Sequence, residues 1–76
     1  MEDLVAYLAR ALVDHPDEVR VERAERDGAV VLQLHVAADD LGKVIGRQGR
    51  VVRALRTVVR ASGSKRGERI LLEIVE

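Results

Sequence analysis

The chain has 76 residues, 13 Lys or Arg against 13 Asp or Glu, no Cys, no Trp, no Phe and one Tyr. A chain this size buries only roughly 60% of its unfolded surface, so it is read as one domain with a compact aliphatic core. The missing Cys excludes disulfides, thiolate chemistry and Cys-type zinc sites, and the lack of aromatics removes ring stacking as a way of holding bases. The formal net charge of zero hides a polarised molecule: Leu41 to Gly67 holds eight Lys or Arg and no acid, so all 13 acids lie elsewhere beside five bases.

From Glu2 to Asp14, the residues Leu4, Val5, Leu8, Ala11 and Leu12 recur at the spacing of an amphipathic helix, with Asp3, Arg10 and Asp14 opposite. Tyr7 falls at the edge of that stripe, where packing is expected. Pro16 stops the helix, because it disfavours helical backbone at His15 and has no N–H to donate. Asp27-Gly28 between extended runs predicts a two-residue type I′ hairpin. Its register pairs Val21 with Leu34 and Val19 with Val36, on the core side with Val30 and Leu32. Arg20, Glu22 and Ala24 then face His35, Gln33 and Val31 on a side predicted to meet solvent.

A short helix, Leu41 to Ile45, is predicted next, capped by Asp39 or Asp40. A longer one follows from Arg50 to Ala61, with Val51, Val52, Ala54, Leu55, Val58 and Val59 on one arc and Arg53, Arg56 and Arg60 on the other. Ser62 to Gly67 reads as a flexible basic loop, with glycine where a helix C-terminus favours it. Arg69 to Val75 is the last strand, with Ile70, Leu72 and Ile74 in one row. The order α-β-β-α-α-β predicts an α+β domain, its helices packed on one face of a three-stranded sheet.

Between the two later helices lie Gly46-Arg47-Gln48-Gly49. Glycine lets a ligand approach the main chain, and the first free N–H groups and positive dipole end of the following helix point into the same space. With Lys43, Arg47, Arg50 and Arg53 around it, the turn is a candidate phosphate site. It is not a nucleotide P-loop: Gly42-Lys43 is not followed by Ser or Thr, and the turn joins helix to helix. His15 and His35 lack neighbours at metal-ligand spacing and read as surface residues. Among Thr57, Ser62 and Ser64 no nucleophile, base and orienting group can be assembled, so catalysis and a cofactor are not expected. The N-terminus has no basic n-region, and no apolar run approaches the ~20 residues of a membrane span.

The string Val44-Ile45-Gly46-Arg47-Gln48-Gly49-Arg50, followed by Val51, Ala54, Leu55 and Arg56, resembles the I-G-x-x-G core of a KH domain. In length and element order the whole chain, 1–76, is similar to the small bacterial single-KH RNA-binding proteins of the KhpA family, and the order matches the type II KH arrangement. The resemblance implies a cytoplasmic binder of single-stranded RNA, acting as an RNA chaperone or post-transcriptional regulator. KH domains clamp about four nucleotides at this loop. Carried onto this sequence, main-chain N–H groups of Arg47 to Arg50 meet phosphates, Lys43, Arg47, Arg50 and Arg53 add charge, and Val44 and Ile45 wall a groove running to the second strand, around Val30 to Val36. The resemblance also implies a homodimer or pairing with a second KH-containing RNA-binding protein, with no membrane and no small-molecule substrate. A DNA-binding helix-turn-helix and a protein-interaction subunit using the glycine turn are the competing readings.

Overall fold

In a computed structural model that describes residues 1–75, the chain forms helix α1 (Glu2–Leu12), strands β1 (Arg20–Arg26) and β2 (Ala29–His35), helices α2 (Leu41–Ile45) and α3 (Arg50–Lys65), and strand β3 (Ile70–Val75). Single 3-10 turns at Pro16–Glu18, Ala38–Asp40 and Arg47–Gly49 join them. The predicted element order is the observed one. Asp27 and Gly28 both adopt positive φ, 52° and 78°, as a type I′ turn demands, and β1 pairs antiparallel with β2 in the predicted register, Val21 opposite Leu34. Strand β3 lies parallel to β2 on its other side, with Leu72 opposite Leu32. A parallel neighbour requires a crossover, and α2 and α3 supply it.

One core joins the helices to one sheet face. Val30, Leu32, Leu34 and Val36 meet Val5, Ala6 and Ala9 of α1, Val44 of α2, Leu55 and Val59 of α3, and Ile70 and Leu72 of β3. The buried stripe of α1 is rotated from the predicted one. Leu4 and Leu12 are each 40% exposed, Ala11 is exposed, and Tyr7 stands in solvent rather than packing. Apolar residues occupy most of this helix's circumference, and the small Ala6 and Ala9 side lets the backbone approach the sheet closely.

The far sheet face also departs from expectation. Ala29 and Val31 are buried there, at 3% and 2% exposure. The Arg26–Glu73 ion pair (2.7 Å) spans from β1 to β3 across the central strand, and Gln33 donates a further bond to Glu73 (3.5 Å). The hydrogen bond from Arg26 holds the Glu73 carboxyl below its ordinary pKa, against the opposing effect of burial. His35 lies on this face with Nε2 2.7 Å from Glu22 Oε1.

Helix α3 runs to Lys65, past the predicted end at Ala61. It closes with Gly67 N–H donating to Ser64 O (3.1 Å) and Glu68 N–H to Gly63 O (2.7 Å), Gly67 being left-handed at φ 72°. That pair of bonds is the Schellman arrangement. Gly67 is therefore the terminating glycine, and Gly63 is a buried helical residue. A Cβ on Gly63 would sit 2.8 Å from Glu68 O and 2.9 Å from Ile70 Cγ1, so glycine lets the entry to β3 pass directly against α3.

Asp40, 1% exposed, does not cap α2 through its side chain. Its carboxylate instead accepts the Asp14 N–H (3.1 Å) and His15 N–H (3.0 Å), pinning the end of α1 to the start of α2. Burial pushes its pKa up, but the two backbone bonds and the charges of His15 and Lys43 outweigh this and leave it below the ordinary value. The unfolded chain binds a proton at about pH 4, where the folded chain still resists it, so this stabilisation is complete above about pH 4 and is lost as pH falls through the lowered value. Asp40→Asn, with a single acceptor oxygen, should melt below wild type at neutral pH. The gap should narrow as the melts are taken from about pH 5 to about pH 2. A gap constant across that range would contradict the assignment.

Candidate nucleic-acid interface

The glycine turn is built from residues that only partly tolerate it. Helix α2 ends with Gly46 N–H donating to Gly42 O (2.8 Å). Gly46 then takes φ 77°, ψ 170°, a region essentially restricted to glycine. A Cβ there would collide with the Val51 side chain and lie 2.9 Å from the Val51 backbone nitrogen. Gln48 (φ 58°, ψ 25°) and Gly49 (φ 72°, ψ 17°) are both left-handed, so three of the four turn residues have positive φ. This folds the chain back tightly enough to start α3 at Arg50.

Two of the four N–H groups assigned to phosphate by resemblance are already used. Gly49 N–H donates to Gly46 O (3.1 Å) and Arg50 N–H to Arg47 O. Among the described residues, those of Arg47 and Gln48 have no such backbone partner, and both residues are exposed. Helix α3 begins with no side-chain cap and no acid in its first turn, with Arg50 and Arg53 there instead. Cations at a helix N-terminus oppose its dipole. An incoming anion would relieve that conflict, and the exposed Arg47 and Arg50 flank the place where it would sit.

The remaining predicted site residues divide. Arg53 reaches back along the helix, its Nη2 donating to Gln48 O (2.6 Å). Lys43 is ion-paired with Asp14; the hydrogen bond from its ammonium to that carboxylate, against the effect of desolvation, raises its pKa, so much of its charge is already offset. Ile45 is half-buried beside the turn. Val44 is fully buried at 0% exposure and belongs to the core, so it cannot wall an open groove.

The groove is also not at β2. That strand is central, and Val30, Leu32, Leu34 and Val36 are closed beneath the helices. An open groove instead follows the free edge of β3 beside α3, lined by Arg56, Arg60, Ile70, Leu72 and Glu73. It continues past Ser64 and Arg69. Val30 N–H bonds to Arg69 O (2.8 Å), so odd-numbered β3 residues direct their backbone groups to β2 and even-numbered ones face outward. Arg56 Nε donates to one such outward carbonyl, Leu72 O (3.4 Å). Arg56 is the lining residue nearest in sequence to the glycine turn, and from there the groove runs to Ser64 and Gly67 at the far end of α3. Charge pattern alone assigns Arg56 and Arg60 no role; the sheet order places them here.

A family model described as KhpA/KhpB, KH domain matches residues 2–74. Among similar proteins, the RNA-binding protein KhpA of Treponema pallidum (strain Nichols) is 52% identical over 75 residues, which cover 99% of this chain and 94% of that one. The RNA-binding protein KhpA of Aquifex aeolicus (strain VF5) is 50% identical over 76 residues, covering 100% and 96%. That of Listeria monocytogenes serovar 1/2a (strain ATCC BAA-679 / EGD-e) is 45% identical over 76 residues, covering both chains completely. With matches that run the length of the chain and a glycine turn set between α2 and α3, the chain belongs to the KhpA/KhpB KH-domain family.

Proposed function

We propose that this protein is a single-stranded RNA-binding module of one KH unit, residues 1–76, with the RNA backbone against the turn at 46–49 and bases in the groove between α3 and β3. The observation that carries the reading is the uncapped, cationic start of α3 with the unpartnered Arg47 and Gln48 N–H groups beside it. The names of the relatives agree with it. Arg47, Gln48 and Arg50 contact phosphate, Gly46 and Gly49 shape the turn, Ile45 borders it, and Lys43 adds only a residual charge beside Asp14. Arg56, Arg60 and the outward backbone groups of β3 meet the bases.

A role as an RNA chaperone or post-transcriptional regulator in the cytoplasm rests on the resemblance to the KhpA family, with binding rather than catalysis as the activity. Among the described residues, no helix is long and apolar enough to cross a membrane and no cluster could hold a metal ion. Assembly as a homodimer or with a second KH-containing RNA-binding protein would extend a short RNA footprint. The helix-turn-helix reading is disfavoured because Arg56 and Arg60 flank the groove beside β3 rather than projecting from a free recognition helix.

Salt dependence tests the reading. Each phosphate neutralised on a single strand contributes about 0.7 to the slope of log affinity against log salt. Replacing Arg47 and Arg50 by alanine should reduce the slope for a short unstructured RNA by about 1.4. Adding Lys43→Ala should remove less than a further full contact. All RNAs should weaken alike, since phosphate contacts carry no sequence information. An unchanged slope in the triple variant would move the binding site elsewhere, and preference for duplex DNA would favour the helix-turn-helix.

A further inference from the structure

We infer that Arg53 is a positioning residue that locks the peptide unit between Gln48 and Gly49, and is not itself a phosphate contact. The inference rests on the proposed RNA-binding role for its consequence, though not for its geometry. The carbonyl of this peptide unit accepts from Arg53 Nη2 at 2.6 Å, and its N–H donates to Gly46 O at 3.1 Å. One planar group is thus held from both ends. Gln48, a non-glycine residue with positive φ, sits on its N-terminal side, in a conformation that L side chains adopt only when their surroundings enforce it.

The spacing suits this task. Helical side chains lean towards the helix N-terminus, so a long cationic side chain at the fourth residue of α3 extends back over the turn that precedes the helix. The bond is short and charge-assisted. It also does something an unpaired arginine would not: it covers a carbonyl oxygen that would otherwise present negative potential to an approaching phosphate. Fixing the 48–49 peptide orients its neighbour, leaving the Arg47 and Gln48 N–H groups free and outward. The turn is then preorganised, and binding need not order it.

The test is Arg53→Met in the full chain, with Arg53→Lys as the variant that keeps charge and a donor. Three quantities are read: affinity for a short unstructured RNA as a function of salt, amide exchange at Gly49 without RNA, and melting temperature. For Arg53→Met, affinity should fall about tenfold, the worth of one charge-assisted hydrogen bond, with the salt slope unchanged. Gly49 exchange should accelerate about tenfold and the melting temperature should fall by several degrees, because the lost bond is absent from the locally open and the unfolded chain alike. Arg53→Lys should recover much of the Gly49 protection. A salt slope lowered by about 0.7 with Gly49 exchange unaltered would make Arg53 a phosphate contact and overturn the inference. Unchanged exchange with unchanged affinity would overturn it too. If wild type binds no RNA, the proposed function fails, while Gly49 exchange still decides whether Arg53 holds the turn.

Discussion

Gly46→Ala is expected to remove roughly half of the stability of the fold. The backbone region at φ 77°, ψ 170° costs a non-glycine residue about 1–3 kcal/mol. The added methyl also meets Val51, whose backbone nitrogen lies 2.9 Å from the Cβ position, and forcing atoms into a packed site costs about 1–3 kcal/mol more. A domain of this length has about 4–11 kcal/mol in total, so roughly half of it is at stake. Gly49 differs although it belongs to the same turn. Its φ of 72° is strained for alanine, but the nearest atom to a Cβ is Val52 Cγ1 at 3.9 Å, so only the left-handed penalty of about 1–2 kcal/mol applies. Gly63→Ala, which a loop position would tolerate, should also destabilise, because its Cβ would meet the Glu68 carbonyl at 2.8 Å. Urea unfolding of the three variants should rank Gly46→Ala as the least stable and Gly49→Ala as the mildest. Equal losses at Gly46 and Gly49 would contradict this account of the turn.

The hairpin was legible because Asp27-Gly28 dictates its register residue by residue, and the glycine turn because its flanking aliphatic and basic pattern is uncommon. Other features depended on contacts that no local pattern carries. Asp40 stands at the helix start, where a cap is the natural reading, yet its partners are 26 and 25 residues away. Helix α1 is apolar on too many sides for periodicity to choose its buried face. Ser62 to Lys65 looks like a loop by composition, yet it is helical, and position 63 is glycine because the entry to β3 passes against it. Val44 directly precedes the turn in sequence, but its side chain is buried in the core. The position of a groove depends on strand order, which is not readable from a strand's own sequence. Once the α2–α3 crossover sets β3 parallel to β2, the sheet edge beside α3 is that of β3.

The most direct measurement of the central claim is RNA binding by the double variant Arg47→Asp, Gln48→Asp. Both positions are exposed, and aspartate tolerates the left-handed conformation at position 48 better than glutamine does. Acids near the start of α3 also favour the helix dipole by about 0.3–1 kcal/mol. The fold should therefore melt at or slightly above the wild-type temperature. Phosphate at the turn would instead meet two carboxylates where a guanidinium and an amide stood. Hydrogen bonds to charged groups contribute about 1.5–3 kcal/mol each, and losing two of them lowers affinity by at least about 100-fold. The account predicts a normally folded protein that no longer binds a short unstructured RNA at physiological salt. A variant that melts normally and binds with wild-type affinity would show that the glycine turn is not where RNA is held.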